Sequence, residues 1–302
     1  MVLCFVPGVS NQEKSPLNLE SLGVGGDVRV MAFDLDDTLA ISKSQIDPEM
    51  AALLGRLLER LEVCIISGGR FEQFDNQVLK HLDVADELKV KLHLMPTCGT
   101  RYYRWQDGGW AQIYAEDFRE EDKAEIADSL TDGARQLGLW QEQTWGPIIE
   151  DRGSQITFSA LGQSAPPAEK YAWDPDGSKR AALREFVAKR LPQWEVRGGG
   201  STSIDVTKKG VDKAYGMRKL MEALDLKMEN IVFVGDRLDE GGNDYPVREM
   251  GIASVPVEGW PDTARYVASV LAATDTSAQR GLCRDTPPRR QAGRARRSHR
   301  RP

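Results

Sequence analysis

The chain of 302 residues carries a formal net charge of −6 with 40% hydrophobic and 28% charged content, enough for about two domains with sizeable cores. No apolar run reaches the roughly 18 residues of a membrane span, which argues against a membrane partner. Nine arginines against Asp275 and Asp285 give residues 274–302 a charge of +7 and leave residues 1–273 at −13. An acidic body argues against nucleic acid as the main partner.

The opening MVLCFVPGVS has no basic segment and is too short for a convincing export signal. Cys4, Cys64, Cys98 and Cys283 show neither disulfide nor zinc spacing. Both observations lead to the expectation of a cytoplasmic protein. Residues 1–27 read as an N-terminal extension. GVGG at 23–26 precedes the first strand, the wrong side for a dinucleotide fingerprint, and no phosphate-binding P-loop pattern occurs.

VRVMAF at 28–33 reads as a buried strand that ends on Asp34, Asp36 and Asp37. Asp47-Pro48 has the form of a helix N-cap with proline at the first helical position, and Leu53, Leu54, Leu57, Leu58 and Leu61 follow as one apolar stripe. EVCII then forms a second strand stopping at Ser67-Gly68-Gly69. Strand, helix, strand in this order predicts a parallel βαβ unit. The grammar returns in KGVDKAYGMRKLMEALDL (209–226, helix), NIVFVGD (230–236, strand) and GIASVPV (strand).

Between these stretches, alternating strands such as SQITFSAL, a helix around GSKRAALREFVAKRL and six of the seven tryptophans (105, 110, 140, 145, 173, 194) predict a separate module whose core the indoles fill. The acidic stretch EDFREEDKAEIAD reads as a solvated helix face. RGGGSTSID at 197–205 reads as a hinge or an ordinary loop. The expected architecture is α/β: a Rossmann-like parallel-sheet core (28–104 and 198–273) with an inserted α+β cap (105–197). A disordered Arg-rich tail (274–302) follows.

Ligands of a parallel sheet gather at the carboxyl ends of its strands, where this sequence places Asp34, Asp36 and Thr38, then Ser67, then Asp236. Like charges this close repel, and a shared Mg²⁺, a hard cation that takes oxygen ligands, offsets that repulsion. Lys213, Ser67 and the amides of Gly68 and Gly69 suit a phosphate. Carboxylate, cation, lysine and hydroxyl together predict phosphoryl transfer. Asp34 is the expected nucleophile and Asp36 the acid/base, a role that needs its pKa above the ordinary value of about 3.9. A serine hydrolase lacks support, because there is no nucleophile elbow and His81 and His93 read as ordinary surface or packing residues.

DLDDTL behind a buried strand, with ISGGR, KGVDK and FVGD…GGND in order, resembles the haloacid dehalogenase superfamily. Asp37 stands where that family's first motif has glycine, and aspartate also adopts turn conformations. The insert matches the subclass with a large α/β cap. EDRGSQITFSALGQ, GGGSTSIDVTKKGVDKAYGM and VGDRLDEGGNDYPV are similar to the eukaryotic-type phosphomannomutases.

The resemblance implies that Asp34, the Asp36 carbonyl and Asp236 bind magnesium, and that Asn243 and Asp244 support the site. It also implies that Arg152, Ser203 and Asp205 contact sugar hydroxyls or a distal phosphate. Gln163 occupies the position of a phosphate-binding arginine in those mutases, and an amide cannot replace a charged fork. The expected function is therefore a Mg²⁺-dependent phosphatase of a small phosphorylated metabolite, such as a sugar phosphate. The alternatives are a phosphomannomutase interconverting mannose 1-phosphate and mannose 6-phosphate, with Arg104, Lys170 or Arg180 supplying the missing charge, and a catalytically silent binding module. Oligomeric state is left open, a homodimer among the options.

Overall fold

The computed structural model describes residues 17–18 and 27–284, with side chains for 27–274. In chain order the elements begin with β1 (Leu17–Asn18), β2 (Asp27–Val28), β3 (Val30–Asp34), α1 (Pro48–Leu58), β4 (Glu62–Ile66), α2 (Phe71–Gln77), α3 (Asp86–Lys89), β5 (Leu92–Met95), β6 (Arg101–Gln106) and β7 (Gly109–Ala115). There follow α4 (Glu120–Gln136), β8 (Ile149–Asp151), β9 (Gln155–Ser159), α5 (Pro167–Trp173), α6 (Ser178–Arg190), β10 (Trp194–Gly198) and β11 (Ser203–Lys208). The chain closes with α7 (Lys213–Leu224), β12 (Ile231–Gly235), α8 (Tyr245–Glu249), β13 (Ala253–Pro256) and α9 (Trp260–Arg284).

A seven-stranded sheet runs β13-β12-β3-β4-β5-β6-β7, parallel from β13 to β5 and antiparallel over its last two strands. Its central strands β3 and β12 are buried along their whole length, as runs such as VMAF and IVFVG require. Leu53, Leu54, Leu57 and Leu58 of α1 and Val267, Val270 and Leu271 of α9 cover one face. Met217 and Leu220 of α7 cover the other, with Val247 of α8. Asp47 caps α1 through the Glu49 amide, as its sequence indicates.

A separate antiparallel sheet, β10-β11-β9-β8, carries α4 and α6 and forms the cap, with Ile126, Leu130, Phe158, Leu183 and Ile204 in its core. The acidic stretch keeps a solvated face, with Phe118 and Ile126 turned into that core.

Sheet membership moves both expected cap boundaries. β6 and β7 extend the core sheet, because Tyr103 pairs with Leu94 and Tyr102 with Tyr114, while β11 belongs to the cap sheet. The chain therefore passes between the bodies near residues 116–118 and 208–211. The triple glycine is no hinge; it turns the β10–β11 hairpin, where Gly198 pairs with Ile204. Trp105 and Trp110 stack edge to face on the core hairpin, leaving Trp140, Trp173 and Trp194 against the cap core, and Trp145 is exposed.

At the ends, β1 pairs with β2 and helix α9 continues to Arg284, so the expected extension and tail are structured in part. Residues 285–302 of the expected disordered tail lie outside the described residues. No helix among the described residues is long and apolar enough to cross a membrane.

Candidate active site

Strands β3, β4 and β12 are adjacent and parallel, so Asp34, Ser67 and Asp236 emerge at one edge of the sheet. Asp34 closes β3 with its side chain buried. The chain then turns back sharply: the Leu39 and Ala40 amides donate to the Leu35 carbonyl, and Asp37 sits at φ 58°. This is a left-handed turn conformation of the kind glycine and aspartate adopt, and the Asp37 carboxylate accepts the Ser42 amide at 3.0 Å. Thr38 is fully buried and donates its hydroxyl to Asp236 Oδ1 at 3.3 Å.

Lys213 opens α7, whose N-cap Asp212 accepts the Tyr215 amide. An ammonium at the positive end of a helix is unfavourable by itself. Here it lies 2.6 Å from Asp34 Oδ1 and 2.5 Å from Asp244 Oδ1, all three side chains being buried. Two glycine contacts permit this reach. A Cβ on Gly216 would stand 2.4 Å from Ile66 Cδ1, and a Cβ on Gly99 (φ +85°) would stand 2.4 Å from Gly216 Cα. Gly235 similarly makes room for Asp244, whose Oδ2 accepts the Arg237 amide at 3.1 Å.

Carboxylate oxygens of Asp34, Asp236 and Asp244 all lie within 4.8 Å of one another. Burial first, and then the neighbouring carboxylates, push the Asp34 carboxyl well above the ordinary range against the pull of Lys213. Burial and Asp244 raise Asp236 likewise. Burial opposes the charge on Lys213, but Asp34 and Asp244 outweigh it and hold the ammonium protonated. Three hard oxygen donors under mutual repulsion, with one lysine between two of them, fit a small divalent cation such as Mg²⁺.

Ser67 is buried at the end of β4, and its Oγ accepts the Gly69 amide at 3.1 Å, so that amide is not free for phosphate as expected. Arg152 reaches from the cap to donate to the Gly68 carbonyl at 3.0 Å.

Asp36 departs furthest from expectation. Its carboxylate turns out of the acidic cluster and accepts the Lys43 amide (3.0 Å), Lys43 Nζ (3.2 Å), Gln73 Nε2 (2.8 Å) and Gln77 Nε2 (3.3 Å). Burial raises its pKa, but the Lys43 ammonium, the Lys43 amide and Gln73 outweigh burial, so the carboxyl is held below the ordinary range instead of above it. Lys43, Gln73 and Gln77 are not motif residues. The only sequence signal for them was charge complementarity across the turn and an amide on the helix behind Ser67.

On the cap side, Gln163 has its Nε2 buried without a partner, and its main-chain carbonyl accepts Lys170 Nζ at 2.7 Å. Burial first, and then the nearby positive charge of Lys43, lower the Lys170 pKa while Asp36 raises it, so Lys170 lies within electrostatic reach of the core loop. Of the three cations considered as substitutes at position 163, this is the one so placed. Arg104 lies on β6 and donates to the Val90 carbonyl, and Arg180 pairs with Asp174.

Ser203 and Asp205 lie on β11 of the cap, with Asp205 accepting the Thr157 hydroxyl at 2.7 Å. Asn243 is exposed beside the buried Asp244. His93 is buried between Glu62 and Tyr102, away from this chemistry.

The chain is similar to known proteins in sequence and in fold. The family model for haloacid dehalogenase-like hydrolases matches residues 31–247. A probable phosphomannomutase of Caenorhabditis elegans is 26% identical over 258 residues, covering 82% of this chain and 96% of that protein. Human phosphomannomutase 1 is 26% identical over 221 residues, covering 71% of this chain and 81% of that one. A solved structure of C-terminally truncated IMP-nucleotidase from Plasmodium falciparum superposes with a TM-score of 0.62 at 16% identity, covering 82% of this chain and 72% of that one. A haloacid dehalogenase-like hydrolase from Bacteroides thetaiotaomicron superposes with a TM-score of 0.55 at 16% identity, covering 80% and 99%. With its first motif on β3, its lysine on α7 and its acids after β12, the chain belongs to the haloacid dehalogenase-like hydrolase family and is a phosphoryl-transfer enzyme.

Proposed function

We propose that the protein is a Mg²⁺-dependent phosphatase of a small phosphorylated metabolite, such as a sugar phosphate, working through a phosphoryl-aspartate. The observation that carries the reading is the buried contact of Lys213 with both Asp34 and Asp244 at the mouth of β3. Asp34 attacks phosphorus as the bond to the leaving oxygen breaks, and Asp36, released from Lys43 and having taken a proton from solvent, passes that proton to the leaving oxygen. Ser67 and Lys213 hold the phosphoryl oxygens. Asp36 then takes a proton from water, which attacks phosphorus, freeing inorganic phosphate and the Asp34 carboxylate. Mg²⁺, held by Asp34, Asp236 and Asp244, would neutralise charge on the phosphoryl group.

Hydrolysis is favoured over phosphoryl return to sugar because the cap presents a neutral Gln163 where a bisphosphate intermediate needs a charged clamp. The second reading, a phosphomannomutase, draws on the names of the sequence relatives and on Lys170, whose ammonium feels the charges of Lys43 and Asp36.

One incubation separates the two readings: protein, Mg²⁺ and mannose 1-phosphate with a catalytic amount of hexose 1,6-bisphosphate, following inorganic phosphate and mannose 6-phosphate together. Phosphate release without isomerisation, lost in Asp34→Asn, supports the phosphatase. Accumulating mannose 6-phosphate, also lost in that variant, overturns it in favour of the mutase.

A further inference from the structure

Two residues of the core loop behind β4 and two of the cap close a ring. Glu150 Oε1 lies 3.0 Å from Arg70 Nε. Its Oε2 accepts Arg152 Nε at 3.0 Å and Nη2 at 2.7 Å. Arg152 Nη1 returns to the Gly68 carbonyl at 3.0 Å, two residues before Arg70. Glu150 and Arg152 both belong to the cap, so their paired, largely buried side chains travel together. Only the contacts to Arg70 and Gly68 cross to the core.

Near them, a second set of contacts joins the bodies. Ser154 of the cap exchanges hydroxyl hydrogen bonds with Thr100 (2.5 Å) and Thr97 (3.1 Å), all buried. Lys208 Nζ donates to the Glu116 carbonyl at 3.0 Å, bridging the two linkers. These satisfied contacts, buried at Ser154 and half-buried at Lys208, have the character of a pivot. The ring differs from them: the Arg70 side chain is 46% exposed, so its ion pair is readily exchanged for water.

We propose that Arg70, Glu150 and Arg152 form a reversible latch that holds the cap closed over the acidic cluster, with Glu150 as its positioning residue. The inference rests on the phosphoryl-transfer reading only in that the latched loop also carries Ser67. An irreversible clamp would trap product. Because Glu150 keeps its bonds to Arg152 when the cap opens, no buried charge is stranded, and opening gives up only one ion pair and one hydrogen bond. The latch thereby ties cap position to the loop expected to hold the phosphoryl group.

The test uses the full chain with Cys4 and Cys283 replaced by serine and spin labels at cysteines introduced for Lys189 on the cap and Lys227 on the core, both largely exposed. Interlabel distances are read with Mg²⁺ and no substrate for the parent, Arg70→Gln, Glu150→Gln and the double variant. The expected result is a fall of the closed-to-open ratio by about two- to fivefold in each single variant. The double variant should fall no further than the larger single effect, since both remove one interaction. Melting temperature confirms that each variant is folded, and Arg70→Gln, at a half-exposed position, guards against a packing defect at Glu150.

Unchanged distances in both single variants, or effects that simply add, overturn the latch. Because the readout is a distance, loss of the latch and loss of the phosphatase reading give separate results. A parent that responds as expected yet releases no phosphate sinks only the latter.

Discussion

Lys213 Nζ sits between Asp34 and Asp244, 2.6 Å from one and 2.5 Å from the other, at the first position of a helix that by its dipole disfavours a cation there. Removing that ammonium leaves Asp34, Asp236 and Asp244 facing one another. Breaking a buried pair from one side costs about 3–5 kcal/mol. Lys213→Met should therefore melt well below the parent and lose about 100-fold or more in phosphoryl transfer. A divalent cation takes over part of the missing charge, so Mg²⁺ should raise the melting temperature of Lys213→Met more than that of the parent, and a chelator should abolish the difference. Equal shifts in both proteins would count against a cation among these carboxylates.

Gly216 and Gly99 set how closely α7 approaches the loop behind β5. The Cβ of Gly216→Ala would stand 2.8 Å from the backbone oxygen of Cys98 as well as against the Cδ1 of Ile66, and the backbone oxygen cannot swing aside as a side-chain end can. The expected cost is about 1–3 kcal/mol, with activity falling because Lys213 is displaced. Gly68→Ala meets nothing within 4 Å and should unfold with the parent. Denaturant midpoints of the two variants make the comparison.

The fold was legible because β3, β4 and β12 are apolar runs ending on polar groups, and the cap because its strands alternate and its helices carry narrow apolar faces. The residues that meet at the strand ends were legible too: topology alone brings Asp34, Ser67 and Asp236 together. What escaped the sequence was contact at a distance. Nothing local marks Gly99 and Gly216 as touching, since their sequence separation hides a backbone approach. Lys43, Gln73 and Gln77 close on Asp36 only after α2 docks behind the turn, which inverts the expected direction of its pKa. The cap boundaries moved for a related reason: β6 and β7 alternate like cap strands, yet β6 hydrogen-bonds to β5 and β7 to β6. The arginine and tryptophan content of such a hairpin does not report which sheet it joins.

His93 is buried with its Nε2 2.7 Å from Glu62 and its Nδ1 2.7 Å from the Tyr102 hydroxyl. Burial lowers its pKa, and the Arg104 charge adds to this, against the pull of Glu62. The folded protein therefore resists a proton that the unfolded chain accepts near pH 6.5. Stability from this site is complete above that value and declines as pH falls below it. Burial raises Glu62, but His93, Arg104 and Arg29 lower it further, so its contribution too is present at neutral pH and lost in acid. His93→Gln, which can donate to Glu62 and accept from Tyr102 without titrating, should flatten melting temperature against pH between about 5 and 7. An unchanged slope would place the acid sensitivity elsewhere.

Lys170 is a cap cation within electrostatic reach of Lys43 and Asp36, and its Nζ donates to the Gln163 main-chain carbonyl. Its electrostatic surroundings are frustrated: Lys43 repels it while Asp36 attracts it. An anionic group on the substrate would relieve that repulsion, and a hydrogen bond to a charged group contributes about 1.5–3 kcal/mol. Lys170→Met should thus raise KM for a phosphorylated sugar about 10-fold or more, leave kcat nearly unchanged and barely move the melting temperature, because no buried partner is stranded. Gln163→Arg should do the reverse for a sugar bisphosphate, lowering its KM by adding a charge-bearing fork beside Lys170. If Lys170→Met binds every substrate as the parent does, the cap recognises a neutral leaving group, and the phosphatase would be expected to favour monophosphates with no second charge.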